Sequence, residues 1–260
     1  MEIKISDKNP LVCFFDSGIG GLNLLYKCAL LLPHCDFNYY ADNYNVPYGN
    51  RTGSEILKLV TPIFDVIASK NPSAAVVACN TVTAQCIGEL RAKYAFPIIG
   101  IQPAVKQASE RKGKLLALAT AATVRSEAFI NLVKSYGADK TEAVACPDLA
   151  EYIEENVFDL SQEKVVSLLP RVKTDSVVLG CTHYVYIEKI IENFYGCPVF
   201  DGISGTADHL RSVLGISDHR GYGKLIADCE RGQKCGEISF IGGDSDKNSR
   251  VFGLLCKNRF

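Results

Sequence analysis

The 260-residue sequence lacks an excess of either charge, and it lacks any long apolar run. The chain carries 28 lysines and arginines against 29 aspartates and glutamates. Nucleic acid and anionic membranes both require a basic face, so this balance argues against either as the main partner. The longest apolar stretch, Leu115 to Val124, is far shorter than the roughly 20 residues that span a bilayer. The N-terminal residues also lack the apolar core of a signal peptide. We therefore expect a cytoplasmic protein without a membrane partner.

The 11 cysteines form no C-x-x-C motif, and their number is odd. Disulfide scaffolds are usually short and carry even numbers of cysteines, so reduced thiols are expected. Cys229 and Cys235 are close in sequence but lack a second ligand pair at zinc-site spacing, and we predict no metal site. Several other cysteines are interpreted as packing residues: Cys13, Cys28, Cys35, Cys86, Cys197 and Cys256.

Short apolar runs alternate with longer helical patterns along the chain. The runs are continuous rather than alternating, which is typical of strands buried on both faces of a parallel sheet. The alternation predicts an α/β protein. The last predicted helix is Gly205–Leu214, and the last predicted strand is Ile238–Ile241. The polar stretch Ser217–Gly236 is predicted to be a surface excursion.

A faint internal repeat links the two parts of the chain. The strand that ends at Cys79 resembles the strand that ends at Cys181, 102 residues later. A similar offset of 104 residues links Asp16 to Thr120. These offsets predict two similar open-sheet α/β domains, related by pseudo-two-fold symmetry, with the active site in the cleft between them.

Ligands of open α/β sheets bind beyond the carboxyl ends of the strands, and two cysteines are predicted there. Cys79 and Cys181 each end a strand just before a helix, a position predicted to lower the pKa of a thiol. Two thiols on opposite sides of a carbon can remove a proton from one face and return one to the other. That chemistry is proton abstraction next to a carbonyl group, with inversion. The alternative is a pair of buried structural cysteines.

Two further polar residues accompany these thiols. His183 follows Cys181 by two residues, and Asp16 ends the first strand, so each could orient or deprotonate a thiol. The alternatives are a core histidine and a helix-capping carboxylate. The loop Gly18–Gly21 with Asp42 suggests a dinucleotide site, but Asn23 replaces the third glycine and an acid precedes the loop. We interpret the loop as a tight turn that brings backbone N–H groups to a small ligand.

Four motifs in order resemble the glutamate racemases, within the aspartate/glutamate racemase family. They are Phe15-Asp16-Ser17-Gly18-Ile19-Gly20-Gly21-Leu22, Val46-Pro47-Tyr48-Gly49, Ala78-Cys79-Asn80-Thr81 and Leu179-Gly180-Cys181-Thr182-His183-Tyr184. The late run Ser239–Asp244 is similar to the family's final strand. The resemblance implies interconversion of L- and D-glutamate for peptidoglycan, without a cofactor. The alternative is a racemase of the same family that acts on aspartate or another small acidic amino acid.

The resemblance also implies roles for individual residues. Cys79 and Cys181 would be the two bases, Asp16 and His183 the groups beside them, and Glu154 the partner of the histidine. The residues expected to bind substrate are Asp16, Ser17, Tyr48, Gly49, Asn80, Thr81, Thr120, Thr123, Thr182 and His183. One domain would comprise residues 1–100 with 208–260, and the other residues 101–207.

The sequence departs from the family pattern at a few positions. Val185 replaces the usual proline, Gln102 replaces a glutamate, and Ala41-Asp42-Asn43 replaces the commoner Gly-Asp-Thr. Two other kinds of protein stay open as alternatives: an amino-acid-binding protein with a decayed site, and a nicotinamide-dependent oxidoreductase. A homodimer is compatible with the sequence but is not specified by it.

Overall fold

The computed structural model describes residues 9–216 and 236–257. The predicted excursion at Ser217–Gly236 lies outside these residues, apart from Gly236. The strands of the described residues are β1 (Leu11–Asp16), β2 (Asp36–Ala41), β3 (Ala74–Val77), β4 (Ile98–Gly100), β5 (Leu115–Ala119), β6 (Thr141–Ala145), β7 (Ser176–Gly180), β8 (Val199–Phe200) and β9 (Ile238–Ile241). The α-helices are α1 (Leu22–Leu31), α2 (Gly53–Ser69), α3 (Asn80–Lys93), α4 (Val105–Ser109), α5 (Ala121–Arg125), α6 (Glu127–Tyr136), α7 (Leu149–Asn156), α8 (Gln162–Leu168), α9 (Glu188–Tyr195), α10 (Ile203–Val213) and α11 (Ser245–Leu255). A 3₁₀ helix covers Thr182–Ile187.

The first sheet contains five parallel strands in the order β4-β3-β1-β2-β9. Its interior strand β3 is buried along its whole length, and its central strand β1 is buried from its second residue onward. Helices cover both faces of such a sheet, which explains why these strands are continuous apolar runs. Strand β9 returns the chain to this sheet beside β2.

The second sheet contains four parallel strands in the order β6-β5-β7-β8. Read from its other edge, this order matches β4-β3-β1-β2 of the first sheet, with β5 in the place of β1 and β7 in the place of β3. The prediction of two similar parallel-sheet α/β domains is therefore confirmed. The residue boundaries of the two domains stay a prediction.

Three details differ from the sequence analysis. Helix α11 was not predicted, although the Asp244 side chain caps it by accepting the backbone N–H of Lys247 at 2.9 Å. Strand β6 lies at the edge of its sheet and is half exposed, because only one of its sides has a partner strand. Cys256 is exposed, so its interpretation as a packing residue is wrong. None of the described helices is both long and apolar enough to cross a membrane.

Candidate active site

The carboxyl ends of the two sheets meet in a closed cleft. Cys79 follows β3 and Cys181 follows β7, so the two thiols occupy equivalent positions in the two halves. Their residues are only 5% and 6% exposed. The Thr182 hydroxyl of the second half donates a hydrogen bond to Asp16 Oδ2 of the first half at 3.3 Å. The strand ends that the sequence singled out therefore lie together.

On the side of the first sheet, the turn after β1 arranges Asp16 and Ser17. The backbone N–H of Gly18 donates to Asp16 Oδ1 at 2.8 Å, which fixes the carboxylate at the end of the strand. The hydroxyl of Ser17 lies 3.6 Å from the sulfur of Cys79. Cys79 itself stands in an extended conformation at the first residue before α3. A thiol, a hydroxyl and a carboxylate thus line this side of the cleft.

On the side of the second sheet, a thiol, an imidazole and a carboxylate form a chain. The Cys181 sulfur lies 3.9 Å from Nδ1 of His183. The other ring nitrogen of His183, Nε2, lies 2.7 Å from Oε2 of Glu154 on α7. All three residues are buried. The arrangement can hold a proton beside the Cys181 sulfur and fix the direction of the ring.

Glu154 accepts hydrogen bonds from several elements in addition to His183. Its Oε2 accepts the backbone N–H of Ile19 at 2.8 Å, and its Oε1 accepts Nδ2 of Asn43 at 2.8 Å. Nζ of Lys247, on α11, lies 3.0 Å from the same Oε1. Sequence reasoning found Glu154 but missed Asn43 and Lys247. Asn43 could have been found because it departs from the residue usual in the family motif. Lys247 could have been found from Asp244, which caps the helix that was not predicted.

The pKa values of Asp16, Glu154 and His183, three buried groups of the cleft, shift in different directions. Burial raises the pKa of Asp16 to about 6, although the charge of His183 opposes the shift. Burial also acts to raise the pKa of Glu154, but the hydrogen bond and charge of His183, with Lys247, outweigh it and lower the pKa to about 2. Burial acts to lower the pKa of His183, yet its contacts with Cys181 and Glu154 raise it well above its ordinary value. A protonated His183 beside an ionised Glu154 is the favoured state.

The predicted lowering of a thiol pKa by the helix position is wrong for Cys79. Burial raises the pKa of Cys79 to about 12, and the charge of Asp16 acts in the same direction. The start of α3 does not compensate for the loss of water in the closed cleft. Cys79 is therefore a neutral thiol in this arrangement.

A second cluster crosses the cleft through hydroxyl groups. Thr81 Oγ1 lies 2.9 Å from Thr120 Oγ1 and 3.4 Å from Thr123 Oγ1. Thr81 is the second residue of α3, whereas Thr120 caps α5 by accepting the backbone N–H of Thr123. Three predicted substrate-binding residues from the two halves thus form one network.

The remaining predicted residues flank these clusters. The Tyr48 hydroxyl donates to Asp42 at 2.6 Å, so it is directed at that carboxylate. The carbonyl of Gly49 accepts the backbone N–H of Ala122 at 2.8 Å, which ties this loop to the second half. Asn80 is buried at the first residue of α3. The roles of these residues stay predictions.

Two glycines permit the close approach of the two halves. A Cβ atom at Gly18 would lie 2.1 Å from Oε2 of Glu154. A Cβ atom at Gly20 would lie 2.5 Å from the Thr182 hydroxyl and 2.7 Å from Nδ1 of His183. Real Cβ atoms do not approach neighbours so closely, so the glycine turn is what lets the second half reach the end of β1. Among the described residues, no group of three or more histidine, cysteine, aspartate or glutamate side chains could hold a metal ion.

Comparison with known proteins identifies the family of the chain. Residues 33–210 match the family model Asp/Glu/hydantoin racemase. Glutamate racemase 2 of Bacillus subtilis is 38% identical over 93% of this chain and 95% of its own length. Glutamate racemase of Clostridium novyi is 35% identical over 87% of this chain and 94% of its own length. The crystal structure of Thermus thermophilus glutamate racemase with β-chloro-D-alanine superposes with a TM-score of 0.73, at 26% identity, covering 96% of this chain and 94% of that one.

Racemases are isomerases that invert a carbon centre, and a cleft between two parallel-sheet α/β domains with a cysteine at the equivalent strand end of each suits that class of reaction. The chain belongs to the Asp/Glu/hydantoin racemase family.

Proposed function

We propose that the protein is a glutamate racemase that interconverts L- and D-glutamate without a cofactor and supplies D-glutamate for peptidoglycan. The observation that carries the proposal is the pair Cys79 and Cys181 at equivalent strand ends of the two halves, in one buried cleft. The relatives that match most of the chain are glutamate racemases, which supports glutamate as the substrate.

The proposed reaction passes through two thiols. One cysteine, as its thiolate, removes the proton from the α-carbon of glutamate, and the electron pair of that C–H bond stays on the substrate. The other cysteine, as its thiol, donates a proton to the opposite face of the same carbon. The first sulfur ends as the thiol and the second as the thiolate. The reverse reaction restores the starting state.

The surroundings of each thiol suit this exchange. Asp16 and Ser17 lie on the Cys79 side, and the Ser17 hydroxyl is 3.6 Å from the sulfur. His183 lies on the Cys181 side with its far nitrogen held by Glu154. A raised pKa of Asp16, near 6, allows its carboxyl group to gain or lose a proton near neutral pH. Each sulfur therefore has a neighbour that can exchange a proton with it.

The substrate carboxylates would be held by neutral donors. The first residues of α3, Asn80 and Thr81, present side-chain donors and backbone N–H groups at the positive end of a helix. Thr182 offers a further hydroxyl from the second half. These groups can bind a carboxylate without placing a fixed lysine or arginine beside the reacting carbon.

The proposal is tested by measuring racemisation of L-glutamate and L-aspartate by the unaltered protein and by Cys79→Ala and Cys181→Ala. We expect rapid turnover of glutamate, and no racemisation of it by either variant. Full turnover by either variant would overturn the two-thiol mechanism. Preferred turnover of aspartate would instead identify a racemase of the same family with a different substrate. Cytoplasmic location and a homodimer stay predictions. The oligomeric state can be measured on the purified protein, and the location can be determined in cells.

A further inference from the structure

Helix α11 reaches the proton-transfer machinery through Lys247. Its Nζ lies 3.0 Å from Oε1 of Glu154, and it also donates to the backbone carbonyl of Glu154. The Lys247 side chain is 20% exposed and that of Glu154 is 4% exposed, so the ion pair is largely removed from water. Two contacts from one ammonium group fix both the main chain and the side chain of Glu154.

The start of α11 is itself held in place beside this ion pair. Asn248 is fully buried, and its Nδ2 donates to Oδ1 of Asn43 at 3.1 Å. The backbone N–H of Asp244 donates to the same Oδ1 at 3.1 Å. Asn43 in turn donates to Oε1 of Glu154 at 2.8 Å. Lys247 is therefore part of a fixed cluster, unlike a flexible surface lysine.

The two carboxylate oxygens of Glu154 have different hydrogen-bond partners. Oε2 receives Nε2 of His183 at 2.7 Å and the Ile19 N–H at 2.8 Å. Oε1 receives Asn43 and Lys247. If the Oε1 side lost its partners, the carboxylate could rotate, and the His183 ring would lose the fixed acceptor that directs Nδ1 at Cys181. A displacement of a catalytic group by about 1 Å can cost on the order of a hundredfold in rate.

We propose that Lys247 is a positioning residue for His183, acting through Glu154, and that the last helix thereby serves the proton transfer at Cys181 but not the one at Cys79. The inference rests on the proposed racemase function. It assigns a role to a residue that lies beyond β9, far in sequence from either thiol.

The first test measures kcat/KM for glutamate with Lys247→Met, Lys247→Arg and the control Lys257→Met. Lys257 is exposed and lies just beyond α11. We expect Lys247→Met to lower kcat/KM by about ten- to a hundredfold. Lys247→Arg, which keeps the positive charge, should retain most of the kcat/KM of the unaltered protein, and the control should retain all of it. If Lys247→Met does not fold, as judged by thermal unfolding, Lys247→Gln takes its place. A kcat/KM within twofold of the unaltered protein in the neutral variant would overturn the proposal.

The second test asks whether Lys247 acts through Glu154. Lys247→Met is combined with Glu154→Gln, and the effects are compared in a double-mutant cycle. We expect the lysine substitution to change kcat/KM by less than about twofold once Glu154 has lost its charge. The same loss in both backgrounds would show that Lys247 acts by another route.

The third test separates positioning from general damage. Deuterium at the α-carbon slows the step that breaks that bond, so L- and D-glutamate each report on one of the two thiols. In Lys247→Met, proton transfer at Cys181 should be slower. The kinetic isotope effect on kcat/KM should therefore rise for the enantiomer that Cys181 deprotonates and fall for the enantiomer that Cys79 deprotonates. Equal changes for both enantiomers would contradict a role at Cys181 alone. An unaltered protein without glutamate turnover would instead reject the proposed function, so the two failures are distinguishable.

Discussion

Asp16 is a carboxylate whose environment opposes its charge. It is fully buried, and its pKa is raised from 3.8 to about 6. The folded protein therefore binds a proton to Asp16 more tightly than the unfolded chain does. This contribution to stability is present below pH 3.8 and is lost as the pH rises to about 6. By neutral pH the charged carboxylate costs on the order of 3 kcal/mol, which the fold tolerates at a residue proposed to exchange protons.

Replacing Asp16 with asparagine should remove that cost. The amide oxygen can still accept the Gly18 N–H, and position 16 no longer carries a charge. We expect Asp16→Asn to raise the free energy of unfolding at pH 7 while racemisation falls at least tenfold, because the proton-exchanging group is gone. Thermal unfolding at pH 7 and pH 4 checks this.

The stability gain of Asp16→Asn should shrink at pH 4, where the native carboxyl group is already protonated. The matched control is Asp65→Asn, an exposed carboxylate that pairs with Lys93 on the surface. It should change stability only slightly at either pH. A loss of stability in Asp16→Asn at pH 7 would contradict the raised pKa.

The sequence predicted most of the residues in the cleft, but it did not predict their electrostatics. Cys79, Cys181 and His183 stand at or just after strand ends, and strand ends can be recognised from apolar runs and the polar residues that follow. The raised pKa of Cys79 depends on how completely the second half covers it, which no local pattern contains. Lys247 was missed because its partner Glu154 is 93 residues away in the chain.

At the scale of elements, the glycine turn between β1 and α1 decides whether the halves can meet. Gly18 has an ordinary backbone conformation, so the constraint comes from space rather than from strain. A Cβ atom there would collide with the Glu154 carboxylate, which is held by His183 and Lys247 and cannot easily withdraw.

Gly18→Ala should therefore push Glu154 away and lower kcat/KM for glutamate by about a hundredfold. Gly88→Ala provides a matched control, because a Cβ atom at this exposed position of α3 would meet no atom within 4 Å. The control should keep full activity and gain about 0.5–1 kcal/mol, since glycine disfavours a helix interior. Steady-state kinetics and thermal unfolding measure both effects, and an active Gly18→Ala would show that the close contact is not needed.

The elements were predicted well where the chain alternates between apolar strands and amphipathic helices. The central strands of both sheets were recognisable because burial on both faces makes them continuously apolar. Helix α11 was not predicted because its sequence is largely polar, although Asp244 and Asp246 are favourable residues at a helix start. Its stability comes from packing against α1 and β9, which local sequence does not reveal.

At the scale of the whole molecule, the repeated strand order explains why two thiols reach one cleft. Equivalent strands of two facing sheets place equivalent residues opposite each other. The chain passes between the halves after β4 and after β8, and these two passages touch, since a Cβ atom at Gly202 would lie 2.0 Å from the carbonyl oxygen of Gln102. Because both thiols are almost fully covered, we expect the halves to separate when substrate enters, with these passages acting as the hinge.

Closure of the cleft predicts unequal reactivity of the thiols. Cys256 is exposed, whereas Cys79 and Cys181 are buried. We expect iodoacetamide at pH 8 to modify Cys256 at least about tenfold faster than Cys79, as followed by mass spectrometry of peptides. Added glutamate should slow the modification of Cys79 and Cys181 but leave Cys256 unaffected. Equal rates for Cys256 and Cys79 would indicate a cleft that is open in solution.

The central claim is that two different thiols serve the two faces of the α-carbon. Its most direct test is the early time course of L-glutamate racemisation in deuterated water, followed by proton nuclear magnetic resonance and chiral separation. The two-thiol account predicts that the first D-glutamate formed carries deuterium at the α-carbon, while the remaining L-glutamate still carries protium. Deuterium appearing equally in both enantiomers from the start, or protium retained in the product, would mean that one base serves both faces and would contradict the account.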